Sequence, residues 1–286
     1  MTTALATVFA APGSVTAYAA IAVAALMVAL WLASIALRDV SIVDPAWGPA
    51  FVLVAAVAAV AGAGCVGRRW LLFAMTAVWG LRLGAYLLVR KLGDRSEDRR
   101  YAAMRERRGS SFVPWSLVMI FGLQGLLVLI VSLPVQVAAD QGGSLTATVI
   151  PGVALWVVGF AFESIGDEQR RRFKARPESK GQVMDRGLWR YTRHPNYFGD
   201  FCVWWGLWLV ALTAGGTWWT FIGPVVMSML LIRVSGAGLL EKDIGNRRPG
   251  YADYIRRTSG FFPWPPKKPP PDEGFEGDEG DEGGGP

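Results

Sequence analysis

Histidine is nearly missing: His194 is the single one in 286 residues. One imidazole cannot build a His-rich metal centre. Cysteine is almost as scarce, and Cys65 and Cys202 both lie in or beside apolar runs. Two thiols so placed offer neither a disulfide framework nor the spacing of metal ligands. Charge is thin as well, at 18% of residues, below the roughly 25% of an average soluble domain. Hydrophobic residues fill the space, at 52% of the chain. The charges fall in clumps between long apolar stretches, the pattern of a polytopic membrane protein.

Runs long enough to span a bilayer are predicted near 14–37, 49–66, 70–89, 112–137, 146–165, 197–213 and 217–235, seven in all. The first is too long, and lacks the basic start, for a signal peptide. Breaks are expected at the turn-forming strings DPAWG, AGAGCVGRR, ADQGGS and TAGGT. Residues 90–108 carry eight Arg/Lys and 166–193 carry nine, whereas the links near 140 and 215 carry none. The positive-inside rule puts both basic loops in the cytosol, with the N-terminus outside and the C-terminus inside. Arg68 and Arg69 run against that pattern. The expected class is an all-α integral membrane protein, with a membrane domain over 1–264 that has a net charge of +11. It is followed by a disordered Pro/Gly-rich acidic tail over 265–286.

Gly62-x-Gly64-x-x-Gly67 matches the dinucleotide fingerprint by letter, but that motif works only between a strand and a helix of a βαβ unit. Here it joins two membrane helices, so a turn is expected. Three polar clusters on the cytoplasmic side are better candidates, because polar groups near membrane depth are costly to keep. In FESIGDEQRRRFK, Glu163 and Asp167 stand four apart and share a face if the helix continues. In GLWRYTRHPNYFGDFCVWWGLW, Pro195 suits the first turn of a helix, with Asn196 and Asp200 on one face and Tyr197 beside them. That helix start attracts phosphate, and Trp189 and Tyr191 offer flat faces. Glu241, Asp243, Tyr251 and Tyr254 form the third cluster, on a basic amphipathic stretch that either lies on the membrane or closes over a cofactor. Together the clusters point to a nucleotide-like cofactor meeting a lipid at the cytoplasmic membrane edge.

The string GLWRYTRHPNYFGD resembles the C-terminal motif of the steroid 5-alpha-reductase family and its bacterial branch, the type grouped as domain of unknown function 1295. It is also similar to the RHPNYxGD of sterol C14- and C7-reductases. GDEQRRRFK upstream and LLEKDIGNRRPGYADYIRRTSGFFP downstream fit the same group. The resemblance is strong over 160–264 and weaker over 44–101, where DPAWG and EDRRY carry it. It implies a multi-pass reductase of the bacterial inner membrane that uses NADPH to reduce a carbon–carbon double bond in a lipid or steroid-like enone. Neither a nucleic acid nor an obligate protein partner is implied. Asp167, Lys174, Trp189, Asn196, Tyr197 and Asp200 correspond to cofactor contacts. Arg193 and His194 belong to the motif, and Glu163 stands where steroid reductases have Asn. Arg95, Arg100 and Tyr101 resemble a loop over the phosphates, and Glu241 and Tyr254 complete the expected cofactor set. Steroid reductases grip the substrate ketone with a Glu and a Tyr. Here Trp79 aligns with that Tyr, Arg82 and Tyr86 lie nearby, and Asp44 is the nearest acid. Asp44 and Tyr86 are therefore the expected catalytic pair, stabilising charge on the carbonyl oxygen and supplying a proton.

Isoprenylcysteine carboxyl methyltransferases and phospholipid methyltransferases share RHPxYxG and a terminal E…Y..Y segment. An S-adenosylmethionine-dependent membrane methyltransferase is thus the alternative, with a non-catalytic lipid-binding scaffold as the third. Asn196 followed by Asp200 favours the reductases.

Overall fold

The computed structural model describes residues 14–94, 96–234 and 250–267. Its helices are α1 (Ser14–Leu37), α2 (Val43–Ala61), α3 (Val66–Gly93), α4 (Arg99–Arg108), α5 (Phe112–Ser116), α6 (Leu123–Val131) and α7 (Leu133–Asp140). They continue with α8 (Val149–Lys174), α9 (Pro195–Ala211), α10 (Ile222–Met229) and α11 (Tyr251–Arg257). Among the described residues the only extended pairing is one bridge between Thr192 and Ser259. Six helical stretches are long and apolar enough to cross a bilayer, and Trp218–Arg233 forms a shorter apolar one where the seventh span is expected. The protein is an all-α integral membrane protein. Arg95, Glu241, Asp243 and the tail from residue 268 onward lie outside the described residues.

One expected break is not a break. DPAWG falls inside α2, which starts at Val43 and carries Asp44 in its first turn. The physical reason is positional: Pro45 sits where a missing N–H costs nothing, and an acidic residue suits a helix N-terminus. The expected glycine turn is present. Gly62 to Cys65 link α2 to α3, and the Gly64 N–H donates to Ala139 O at 2.8 Å. A Cβ on Gly62 would lie 2.6 Å from that same oxygen, so glycine here permits a close backbone approach.

Arg68 explains its own exception to the charge rule. It is fully buried, and its guanidinium donates to the carbonyls of Ala138 (3.2 Å), Thr213 (3.2 Å), Gly142 (2.7 Å) and Gln141. Carbonyls left over at the ends of α7 and α9 thereby gain a donor. Arg68→Met should cost roughly 2 kcal/mol by orphaning these acceptors, read as a lower melting temperature in detergent; an unchanged melting point would refute the role.

At its other end, α1 closes with Arg38 N–H on Ile35 O and Asp39 N–H on Ser34 O, a Schellman pattern. Arg38 holds the left-handed position at φ 52°, where glycine is favoured and a side chain costs about 1 kcal/mol. Asp39 then accepts from Ser41 N–H and pairs with Lys91 at 2.6 Å. Burial pushes the Asp39 carboxyl up, but Lys91 and Ser41 outweigh it and hold the group below its ordinary value.

Two seams set the bundle. Helix α8 runs along α9, and α2 along α3. Gly152, Gly159 and Gly166 recur every seven residues on α8, facing Gly199 and Gly206 on α9. A Cβ on Gly159 would meet Gly199 O at 2.5 Å, the small-residue contact that membrane helices use in place of a hydrophobic drive. Phe51, Trp79 and Trp204 then knot α2, α3 and α9 together, with ring centroids 4.6, 5.6 and 5.3 Å apart.

Candidate functional site

The glycine seam brings two polar helix faces into register. Helix α8 continues unbroken past the apolar run, so Glu163 and Asp167 share a face as expected, and both are buried. Pro195 opens α9 directly after the N-cap residue His194. Asn196 and Asp200 therefore face α8 and line one hollow with Glu163 and Asp167.

Between these faces lies Arg82 of α3. It donates to Glu163 Oε1 at 2.6 Å and pairs with Asp167, while Trp79 Nε1–H donates to Glu163 Oε2 at 2.8 Å. Both Glu163 oxygens are thus engaged by α3. Asp200 is also buried, and its Oδ1 has no hydrogen-bond donor among the described residues.

Three hollows meet here. The first, of about 350 Å³, is lined by Asp44, Trp47, Tyr86, Gln124 and the Glu163–Asp167–Asn196–Tyr197–Asp200 wall. The second, of about 160 Å³, holds Lys174, Trp189, Arg193, His194 and Tyr254, and shares Arg170, Asn196 and Tyr197 with the first. The third, of about 570 Å³, shares Asp44 and Arg90 with the first and Lys174 with the second. Arg90 and Arg170 stand at these junctions; neither guanidinium makes a salt bridge or hydrogen bond among the described residues, and Arg170 lies over the Trp189 ring.

The motif loop is held from behind. Trp189 Nε1–H donates to Gly166 O at 3.0 Å, and Arg170 lies 5.7 Å from its ring centre. Tyr254 O–H donates to Trp189 O at 2.6 Å; burial raises this phenol above its ordinary value, keeping it a donor. Arg193 Nη1 donates to Ile255 O and Thr258 O. Thr192 Oγ1–H reaches Phe261 O, and Trp264 N–H reaches Tyr191 O. Residues 251–264 thus strap the loop in place. The His194 ring stacks on Tyr197, with centroids 5.4 Å apart and 5° between planes.

The expected catalytic residues share the first hollow. Tyr101 O–H donates to Asp44 Oδ1 at 3.0 Å, and Arg100 comes within 3.7 Å of Oδ2. Arg100 and Tyr101, expected over phosphates, therefore engage Asp44. Tyr86 lies beside Arg82, whose guanidinium is 5.6 Å from its ring centre. Asp98 caps α4 by accepting from Arg100 N–H at 2.9 Å. Burial pushes the Asp98 carboxyl up, but Arg100 prevails and holds it low.

Sequence reasoning named Arg82 only as a neighbour and gave Arg90 no separate place. The signal for Arg82 is one cation in an otherwise apolar span, set against two carboxylates in another: neither charge is tolerable alone at that depth.

Fold and site define a multi-pass α-helical membrane protein with polar hollows at one end of its bundle. Residues 30–258 match the family model described as Protein of unknown function (DUF1295), and the chain belongs to that family. No curated protein and no solved structure matches the chain.

Proposed function

We propose that the protein is a membrane-embedded NADPH-dependent reductase of a carbon–carbon double bond in a lipid or steroid-like enone. The observation that carries this reading is the pair Arg90 and Arg170, two guanidiniums that make no salt bridge among the described residues where the hollows adjoin. Cations with free N–H edges at a cavity junction suit phosphates. Asn196 offers an amide, and Trp189 and the His194–Tyr197 stack offer plates for a flat ring. The donor set fits a dinucleotide, and Lys174, Arg170, Asn196, Tyr197 and Trp189 would hold it. Glu163 and Asp167 act mainly by positioning, since Arg82 already occupies them.

When bound, the dinucleotide supplies a hydride. The remaining tasks belong to the chain. Tyr86 and Asp44, the latter as its protonated acid with Tyr101 donating to the other oxygen, face the hollow where a lipid carbonyl would sit, and either O–H is placed to stabilise charge on that oxygen and deliver a proton. The apolar wall from Leu83, Leu127, Leu230 and Leu231 excludes water and accommodates the lipid body.

Thermal shift of the purified protein tests the reading, because a true ligand stabilises by linkage. NADPH should raise the melting temperature and S-adenosylmethionine should not. Asn196→Ala should weaken NADPH binding at least about tenfold, a loss comparable to one charge-assisted hydrogen bond. A shift with S-adenosylmethionine alone would install the methyltransferase instead, and no shift with either would leave a scaffold. Asp44→Asn and Tyr86→Phe should each slow turnover about 100-fold with NADPH binding intact; full activity in both would remove the proposed pair.

A further inference from the structure

A fourth hollow of about 390 Å³ opens beside the end of α1 and shares only Glu97 with the third hollow above. Its walls include Ile35, Arg38, Glu97, Arg105, Phe112 and Val113. Ile35 and Val113 are 41% and 38% exposed, and Leu32 and Leu37 beside them are exposed too. On a membrane helix such exposure means contact with acyl chains. The opposite rim is cationic. Arg105 gives Nε and Nη2 to Glu97 and lies 4.4 Å from the Phe112 ring centre, which leaves Nη1 without a partner among the described residues. Arg108 repeats the geometry three residues further along α4, 4.7 Å from the Trp115 ring centre. Its guanidinium meets no carboxylate among the described residues.

Arg38 is the most telling member. It occupies the left-handed helix-end position that favours glycine, its guanidinium is exposed, and no carboxylate answers it among the described residues. An arginine kept where the backbone prefers glycine points to a task for the guanidinium. Trp31 Nε1–H, donating to Val113 O at 3.2 Å, ties the two walls together.

We propose that this hollow is a binding site for an anionic phospholipid: its phosphate lies between Arg38 and Arg105, and its acyl chains run down over Ile35 and Val113. A soluble phosphate would use the guanidiniums but not the apolar wall. Stacked arginines are suited to the role, because the ring holds the guanidinium plane while its N–H edge stays available to phosphate.

The test is thermal stability of the purified protein in nanodiscs of phosphatidylcholine alone or with phosphatidylglycerol added. A third arm adds inorganic phosphate to the phosphatidylcholine discs. Wild type should melt several degrees higher with phosphatidylglycerol, and phosphate should not reproduce the gain. Arg38→Gly is the diagnostic variant, since glycine suits that backbone position. It should melt at or above wild type in phosphatidylcholine yet lose most of the phosphatidylglycerol gain. Equal melting in both lipids, an undiminished gain in Arg38→Gly, or an equal gain with phosphate alone would each overturn the proposal.

Discussion

Exchange of Arg82 for methionine is expected to destabilise the detergent-solubilised protein by about 3–5 kcal/mol, the usual cost of leaving a buried charge without its partner. The magnitude follows from the geometry. Arg82 is the cation bonded to both Glu163 and Asp167, whose side chains are only 4% and 5% exposed. Methionine fills much of the volume, so the loss reports charge rather than a hole. The control is compensation: adding Glu163→Gln and Asp167→Asn to Arg82→Met should recover much of the lost stability. Arg82→Lys should lie between, because an ammonium cannot serve two carboxylates and a carbonyl with one planar fork. A melting temperature unmoved in Arg82→Met would mean that the cluster does not hold α3 against α8.

Gly199→Val carries the second large effect. A Cβ at this position would collide with the backbone N of Glu163 and stand 2.5 Å from Gly159 O. Both obstacles are main chain and cannot swing aside. The penalty should exceed about 3 kcal/mol, beyond ordinary overpacking. Relief would come only by driving α9 from α8, which moves Asn196 away from the hollow wall it shares with Asp167. NADPH binding should therefore be lost along with the melting point. Gly93→Ala is the matched control, since a Cβ there meets nothing within 4 Å, and it should leave both unchanged.

Much of this was legible in the sequence. Apolar run length placed the spans, because a bilayer of fixed thickness demands it, and Pro195 marked the start of α9 through its missing N–H. The shared face of Glu163 and Asp167 followed from helical period alone. The partners of those faces were less visible. Period says which way Glu163 points along α8 but nothing of which helix meets it, so Arg82 and Trp79 came from packing. The DPAWG string misled because proline and glycine mark turns in general, while a helix start tolerates both Asp44 and Pro45. Arg68 misled for a related reason. Counting charges treats every arginine as solvated, whereas this one is spent on carbonyls. The spacing of Gly152, Gly159 and Gly166 was written in the sequence throughout; only the facing Gly199 and Gly206 reveal what it is for.

The strap formed by residues 251–264 has a consequence for biosynthesis. The loop that presents Trp189, Arg193 and His194 is fastened by segments translated about sixty to seventy residues later. A ribosome therefore inserts every long span before the chain can fasten that loop. The order of synthesis itself thus delays completion of the proposed cofactor site, and a message truncated ahead of Tyr251 would yield an inserted protein whose Trp189–His194 loop had lost its clasp.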